Sequence, residues 1–242
     1  MRQIILLACA VIQYSLVAPV LAAPVCSSQS LSDYIALGAG GCTVDGVTFN
    51  NFVEVAPLFS GATQITSSSV TLTPIAGSGG IGFALSSGAS ITADTSDLLE
   101  LWFGFRAMGT GGLTGNTLLL GTPTVSGDGA ITIVEDKCLD GTFSSPSSGC
   151  SGVLVTQIVF AIEGDSELQA AATFAAASFF DVFVDLVIDG GTNGSAQLGP
   201  QLSEVRVAGN GSTAVPEPPT IASLALALLA LASLRIRQHR RV

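Results

Sequence analysis

Two stretches of the chain alternate strictly between apolar and polar or small side chains, and this period constrains the fold more than any other feature. Successive side chains of a β-strand point to opposite faces of a sheet, so each stretch predicts a strand with one face in a core. The expected core faces are Leu99, Leu101, Phe103 and Phe105, and Phe180, Val182, Val184, Leu186 and Ile188. The opposite faces carry Glu100, Trp102, Gly104 and Arg106, and Asp181, Phe183, Asp185 and Val187.

Other short segments extend this pattern along the chain. The pair Asp45-Gly46 predicts a type I′ hairpin turn, because both residues tolerate a positive φ. One short helix is expected from Ser30 to Leu37, with Ser30 and Asp33 as its capping pair. Many short strands with Gly-rich turns favour an all-β fold, an antiparallel β-sandwich of roughly 8–11 strands. Besides the two alternating stretches, strands are predicted at residues 52–58, 69–74, 80–85, 90–93, 117–125, 130–135 and 153–162.

The N-terminus has the order of a secretory signal peptide. Arg2 precedes an apolar stretch from Ile4 to Leu21, and the small residues Ala22 and Ala23 follow. This order predicts a signal peptide over residues 1–22, with cleavage after Ala22 or, alternatively, after Ala23. An uncleaved membrane anchor is the remaining alternative. The exported domain is then expected to span residues 23–214.

The C-terminus, residues 215–242, has three parts of different chemistry. A Pro-rich segment over residues 215–220 precedes an apolar run from Ile221 to Leu234, and an Arg-rich tail covers residues 235–242. Fourteen helical residues reach about 21 Å, less than the ~30 Å hydrocarbon core, so a transmembrane helix needs about residues 219–236. Packing of this helix on the protein's own core is disfavoured, because the run has no polar face. The tail arginines that would retain it are Arg235, Arg237, Arg240 and Arg241.

The distribution of charge gives the expected topology. All 18 acidic residues lie between Asp33 and Glu217, where the bases are Arg106, Lys137 and Arg206. Positive charge beside apolar spans stays in the cytoplasm, which places the acidic domain outside the inner membrane and the C-terminus inside. A strongly acidic domain also repels nucleic acid, so no nucleic-acid partner is expected.

The tripartite tail resembles the PEP-CTERM sorting signal of exopolysaccharide-producing Gram-negative bacteria. Val215, Pro216, Glu217 and Pro218 carry the resemblance, whereas Pro219 replaces the serine that is frequent there. The resemblance implies export by the Sec machinery, transient anchoring in the inner membrane, and processing by an exosortase, with the cut position left open. It implies a final location at the cell surface or in the extracellular matrix, with exopolysaccharide as a partner. The same tail type is also catalogued with C-terminal domains of ice-binding proteins.

The domain itself resembles other PEP-CTERM proteins more faintly. The segment from Gly41 to Phe49 and the turn from Asp189 to Ala196 are similar to segments found there. No activity follows from this similarity.

Cysteine usage agrees with an oxidising compartment. Cys9 lies in the signal peptide, which leaves Cys26, Cys42, Cys138 and Cys150. Proximity in sequence favours the pairs Cys26–Cys42 and Cys138–Cys150 among the three pairings. A zinc site is the alternative, but the spacings and the lack of histidine in the domain disfavour it.

The sequence offers little for catalysis. The single histidine, His239, lies in the Arg-rich tail, which removes histidine-based mechanisms from the domain. Lys137, the only lysine, lies beside Glu135, Asp136 and Cys138 and is interpreted as a solvated charge rather than a Schiff-base residue. A pair of carboxylates could hydrolyse glycosides, but sequence alone brings no two of them together. We therefore expect no enzymatic activity.

The sequence predicts no cofactor, and calcium is the alternative. Oxygen ligands cluster around Asp165, Glu167 and Asp189, although none follows the EF-hand spacing. The competing interpretation is that these residues form ordinary β-turns.

Three classes of function follow. The leading expectation is a noncatalytic protein of the cell surface or polysaccharide matrix. The alternative is a carbohydrate-, calcium- or ice-binding β-sandwich, which would need an exposed aromatic cluster, calcium loops or a flat Thr-rich face. Candidates for that face are Thr66, Ser68, residues 70–73, Thr92 and Thr95. A carboxylate-based glycosidase is the third class.

Overall fold

The computed structural model describes residues 23–56, 59–61, 64–77, 80–144 and 149–209. The predicted signal peptide, transmembrane helix and Arg-rich tail lie outside these residues. Within the described ranges there are fifteen β-strands and one helix, and all paired strands are antiparallel. The predicted all-β antiparallel fold is thus confirmed. No helix in this part of the chain is long and apolar enough to cross a bilayer.

The elements follow each other as a long series of strands interrupted once by a helix. In chain order they are β1 (Gln29–Ser30), α1 (Leu31–Ala36), β2 (Cys42–Val44), β3 (Val47–Val55), β4 (Phe59–Ser60), β5 (Thr71–Ile75), β6 (Ile81–Ser86), β7 (Ile91–Ala93), β8 (Leu98–Leu120), β9 (Pro123–Ser126), β10 (Ala130–Leu139), β11 (Val153–Ile162), β12 (Asp165–Glu167), β13 (Gln169–Asp189), β14 (Ser195–Leu198) and β15 (Gln201–Gly209).

The strand count exceeds the predicted 8–11, and no strand was predicted for β1, β4, β12, β14 or β15. The first four of these have at most four residues, and a period of two cannot be recognised over so short a stretch. The nine residues of β15 were missed as well. The opposite error concerns β8, for which separate strands were predicted at residues 98–108 and 117–125. The strand continues through the Gly-rich segment between them, with Gly112 at a φ of 79°.

Twelve strands form one large sheet, and three form a small one. The main path of the large sheet is β1-β5-β6-β15-β8-β13-β10-β11-β12, with β2, β3 and β4 attached through β8. The small sheet has the order β7-β14-β9, and β14 packs against β10 and β13.

The large sheet folds over because β8 and β13 are long enough to run through both of its halves. Along one edge of β8, β3 pairs with residues 102–109 and β15 pairs with residues 113–120. Register shifts in β13 between Thr173 and Phe179 mark the bend on the other side. The first layer therefore contains β3, β10 and β11, and the second contains β5, β6 and β15.

Aromatic rings fill the space between the two layers. Phe83 of β6 meets Phe49 and Phe52 of β3 with ring centroids 4.8 and 5.8 Å apart. Tyr34 of α1 is fully buried beside Phe52 and Phe83, and its hydroxyl donates to the Ser27 carbonyl at 2.7 Å. Burial raises the pKa of Tyr34 to about 12. Two layers with an apolar interior are consistent with the expected β-sandwich.

Local predictions from the sequence are also confirmed. Asp45 and Gly46 have φ angles of 46° and 83° and join β2 to β3, as a type I′ hairpin requires. Ser30 and Asp33 form the capping box of α1. Both expected disulfides are present, Cys26–Cys42 and Cys138–Cys150.

Candidate functional site

The outward faces of β8 and β13 come together in the middle of the first layer. Their register sets Asp181 opposite Arg106, Phe183 opposite Gly104, and Asp185 opposite Trp102. All of these side chains except Gly104 are partly exposed. We call this surface the aromatic–acidic face and define it by Glu100, Trp102, Arg106, Phe143, Asp181, Phe183 and Asp185.

Gly104 determines the orientation of the Phe183 ring. A Cβ atom on Gly104 would come within 2.8 Å of Cε1 of Phe183 and 2.7 Å of the Val182 carbonyl oxygen. The absent side chain therefore lets the Phe183 ring lie down across β8. In this position the ring is 6.4 Å from Trp102 and 5.2 Å from Phe143, both at steep angles. Edge-to-face contacts of this kind stabilise aromatic clusters.

Phe143 reaches this face from a loop rather than from a strand. Cys138 of β10 faces outward but is fully buried, and its disulfide to Cys150 closes the loop that contains Phe143. The disulfide thus holds the loop over the sheet. One of the two disulfides predicted from the sequence therefore also positions Phe143, a side chain of the site.

A charged pair borders the aromatic rings. Arg106 donates to Asp181 through Nε at 2.6 Å and through Nη2 at 3.1 Å, and its guanidinium lies 4.7 Å from the centroid of Phe179. The hydrogen bonds to Asp181 raise the pKa of Arg106 above its usual value. This fork leaves Arg106 oriented beside the rings rather than free to move.

A hollow of about 150 Å³ lies between the charged pair and the rings. Its lining includes Arg106, Asp181, Phe143 and Phe183. On the far side, β3 carries a bulge at Asn51, whose φ is 52°. Bulges next to binding surfaces commonly redirect side chains, and this one brings Asn51 to the rim of the hollow.

Acidic groups lie on the other side of Phe183. Burial, reinforced by the nearby Glu100 and Asp136 carboxylates, raises the pKa of Asp185 to about 6. Asp185 Oδ1 and the indole Nε1 of Trp102 are buried and have no hydrogen-bond partner among the described residues. Glu100 therefore acts on Asp185 both through its negative charge and through a side-chain interaction, and both contributions favour the protonated Asp185 carboxyl.

The face combines flat apolar rings with oriented hydrogen-bonding groups. The partly exposed Phe183 ring contacts those of Trp102 and Phe143, and carboxyl and guanidinium groups flank the three rings on two sides. Apolar surface with a few placed polar groups is the general composition of a binding site for a small or oligomeric ligand. Such a surface suits a ligand that has apolar faces and many hydroxyls.

The interpretation of Lys137 as a solvated charge is wrong. Its side chain is fully buried, and so is that of Glu135, 3.5 Å away from Nζ. Both residues continue the inward face of β10 that begins with Ile131 and Ile133. The alternation along β10 could have revealed this, because residues 131, 133, 135 and 137 share one face. The sequence position beside a disulfide loop was misleading.

The calcium candidates are distributed over two places. Asp165 and Glu167 lie exposed on β12, whereas Asp189 accepts a hydrogen bond from the Gly191 amide at 2.8 Å within its own turn. Asp128 organises the same turn by accepting from the Thr192 hydroxyl at 2.6 Å and from the Thr192 and Asn193 amides, and these hydrogen bonds lower the pKa of Asp128. The described residues contain no group of three or more His, Cys, Asp or Glu side chains arranged to hold a metal ion.

The Thr-rich candidates are spread over several elements, and Val70 and Leu72 among them are fully buried. Thr66 and Ser68 lie at a turn, Thr71 and Thr73 lie on β5 of the large sheet, and Thr92 lies on β7 of the small sheet. The sorting residues Val215, Pro216, Glu217 and Pro218 and the tail arginines lie outside the described residues. The aromatic–acidic face was missed as a unit, because the sequence predicted both outward faces but not their register.

Comparisons with known proteins agree with the C-terminal resemblance. Residues 214–240 match the family model of the PEP-CTERM protein-sorting motif, so the chain carries this motif. A comparison with curated proteins finds no match. Among solved structures, the domain is similar to TmCBM61 in complex with beta-1,4-galactotriose, with 9% identity and a TM-score of 0.29 over 59% of this chain and 83% of that chain. A TM-score of this size does not establish a shared fold.

Proposed function

We propose that this protein is a noncatalytic component of the cell surface or of the extracellular polysaccharide matrix, and that it binds carbohydrate through its aromatic–acidic face. The PEP-CTERM motif marks it as an exported protein sorted by an exosortase. After transient anchoring in the inner membrane, the domain is delivered to the cell surface or the matrix, where it is surrounded by polysaccharide.

The observation that carries the proposal is the ring cluster of Trp102, Phe143 and Phe183 beside Asp185. A sugar ring has apolar C–H faces that can pack on aromatic rings and hydroxyls that can donate to carboxylates. The side chains are held in place before binding by Gly104 and by the Cys138–Cys150 disulfide. Preorganisation of this kind lowers the entropic cost of binding.

Affinity electrophoresis tests this proposal. The full-length protein, kept in mild detergent, is run through gels that contain increasing amounts of exopolysaccharide from a producing host. We expect retardation of the wild type and a loss of affinity of at least about fivefold for Trp102→Ala and for Phe183→Ala, because truncation of a central aromatic typically costs more than ~1 kcal/mol. Leu168→Ala is the matched control, since Leu168 is a large apolar residue that is 42% exposed and lies off this face. Equal retardation of all four proteins would refute carbohydrate binding at this surface.

The sorting part is tested separately. Intact mass is measured for protein recovered from an exosortase-bearing host and for a variant with alanine at Pro216, Glu217 and Pro218. We expect the wild type to lack residues 1–22 and the segment after the Pro-Glu-Pro motif, and the variant to keep its C-terminus. Retention of the C-terminus in both proteins would contradict processing at this motif.

A further inference from the structure

A second polar cluster lies in the core, between the two layers. Lys137 Nζ of β10 donates to Gln157 Oε1 of β11 at 2.7 Å and lies 3.5 Å from Glu135 Oε2. Asn116 of β8 reaches across from the second layer, and its Nδ2 is 2.9 Å from the same Glu135 oxygen. All four side chains are buried, with at most 6% of any residue exposed. An amine, a carboxyl and a carboxamide therefore meet away from solvent.

Burial determines the protonation states in this cluster. Loss of hydration lowers the pKa of Lys137 and raises the pKa of Glu135, in spite of their mutual attraction. Transfer of a proton from the ammonium to the carboxylate removes both charges from the low-dielectric interior. The lysine then carries a free lone pair, and the glutamic acid carries a proton that it can donate. These are the states that an acyl transfer to an amine requires.

We propose that Lys137 and Asn116 become joined by an intramolecular isopeptide bond. The Nζ lone pair attacks Asn116 Cγ and forms the new C–N bond. The Cγ–Nδ2 bond breaks, and Nδ2 leaves as ammonia after taking up a proton. Nζ loses one proton to Glu135 while Glu135 gives one to the leaving nitrogen, so the carboxylic acid is regenerated. The step is redox-neutral and uses no cofactor.

Each polar member of the cluster has a role in this step. Gln157 accepts a hydrogen bond from Nζ and holds the amine in position. Asn116 Oδ1 is buried and lacks a hydrogen-bond partner in the described structure. Asn116 Nδ2 lies against both Glu135 oxygens, which places it to take up the Glu135 proton and leave as ammonia. Exclusion of water also protects the new amide from hydrolysis.

The bond would join strands that do not pair with each other. Asn116 lies in the part of β8 that pairs with β15, in the second layer, whereas Lys137 pairs with β11 and β13, in the first. The two layers would be covalently linked through their interior. This inference is independent of carbohydrate binding at the outer face.

Peptide mapping of the full-length wild type tests the bond. After reduction, digestion behind glutamate separates residues 101–135, which contain Asn116, from residues 136–163, which contain both Lys137 and Gln157. We expect these two peptides to be found joined, at a mass one ammonia below their sum. Loss of ammonia from the intact protein is insufficient evidence, because Asn193-Gly194, which lies outside these two peptides, can also lose ammonia by succinimide formation. The joined peptide is therefore the required result.

Variants assign the roles. Lys137→Arg should give the two peptides separately and at full mass. Glu135→Gln removes the cleavage site between them and should give residues 101–163 as one peptide without loss of ammonia, whereas Asn116→Asp should form the same link with loss of water instead of ammonia. Separate wild-type peptides of full mass would overturn the proposal. So would a link inside residues 136–163, since that would join Lys137 to Gln157 instead.

Discussion

Replacing Asp185 by asparagine should stabilise the protein at neutral pH. Burial, Glu100 and Asp136 raise the pKa of Asp185 to about 6 from an ordinary value of 3.8. The folded state thus binds this proton more tightly than the unfolded chain does. An acid of this kind favours folding most below about pH 4, and the advantage is lost as the pH rises through 6. Above that pH the ionised carboxylate destabilises the fold by a constant amount.

The size of the effect follows from the shift. A displacement of about two pKa units corresponds to ~3 kcal/mol, but partial solvent exposure screens the charge and reduces this to ~1–2 kcal/mol. Asparagine has nearly the same shape and cannot ionise. Asp185→Asn should therefore raise Tm by about 3–6 °C at pH 7.5 and by much less at pH 4.

Trp102 gives the assay its signal. It is the only tryptophan and lies directly opposite Asp185, so its fluorescence reports unfolding next to the substitution. Thermal unfolding is followed by this fluorescence between pH 4 and pH 8 for the wild type, Asp185→Asn and the control Asp165→Asn, whose carboxyl is exposed on β12. The control should follow the wild type. An Asp185→Asn protein that is less stable than the wild type at pH 7.5, or a difference that does not change with pH, would refute the reasoning.

Three further predictions concern the core and the supports of the face. Phe83→Ala should lower the free energy of unfolding by about 3–5 kcal/mol, measured by denaturant titration, because Phe83 fills the space between the layers. Gly104→Ala should displace the Phe183 ring and weaken retardation in polysaccharide gels, while far-UV circular dichroism stays unchanged. Replacing both Cys138 and Cys150 by serine should cost about 2–3 kcal/mol in thermal unfolding and weaken binding too, since Phe143 is released; unchanged binding would show that Phe143 is dispensable.

The loss of stability that ionised Asp185 causes also bears on function. A partly buried carboxyl that destabilises the ionised protein has no structural benefit that the described contacts explain. Groups of this kind concentrate at binding and catalytic sites, where a ligand offsets their cost. Asp185→Asn should accordingly stabilise the domain while weakening carbohydrate binding, as a trade-off between stability and function predicts.

Local sequence patterns predicted many of the strands but not β15 and not the partners of any strand. The alternation in residues 98–106 and 180–188 assigned each side chain to the correct face, because a period of two is an intrinsic property of a strand. Which residues lie side by side depends on register, which is set by turns and bulges far along the chain. Trp102 and Asp185 are 83 positions apart in the sequence, yet adjacent in the sheet. The site therefore forms only because β8 and β13 pair in this register.

Lys137 illustrates a different limit. Its charge suggested exposure, and the strand period indicated burial. The period was the better guide, because Glu135, Asn116 and Gln157 supply partners that no local window can reveal. Residues that violate a simple pattern are frequently those with a special chemical role.

The central position of β15 has a consequence for the route by which the protein matures. This strand is the last one in the described chain, yet it lies between β6 and β8 in the middle of the sheet. A chain that emerges from its N-terminus onward cannot close the second layer until residues 201–209 have also passed through. Such late, long-range pairing makes folding slow relative to local folds. If the chain is exported N-terminus first, the domain can be completed only when translocation has nearly reached the sorting signal, and a partly exported chain would leave the edges of β6 and β8 unpaired.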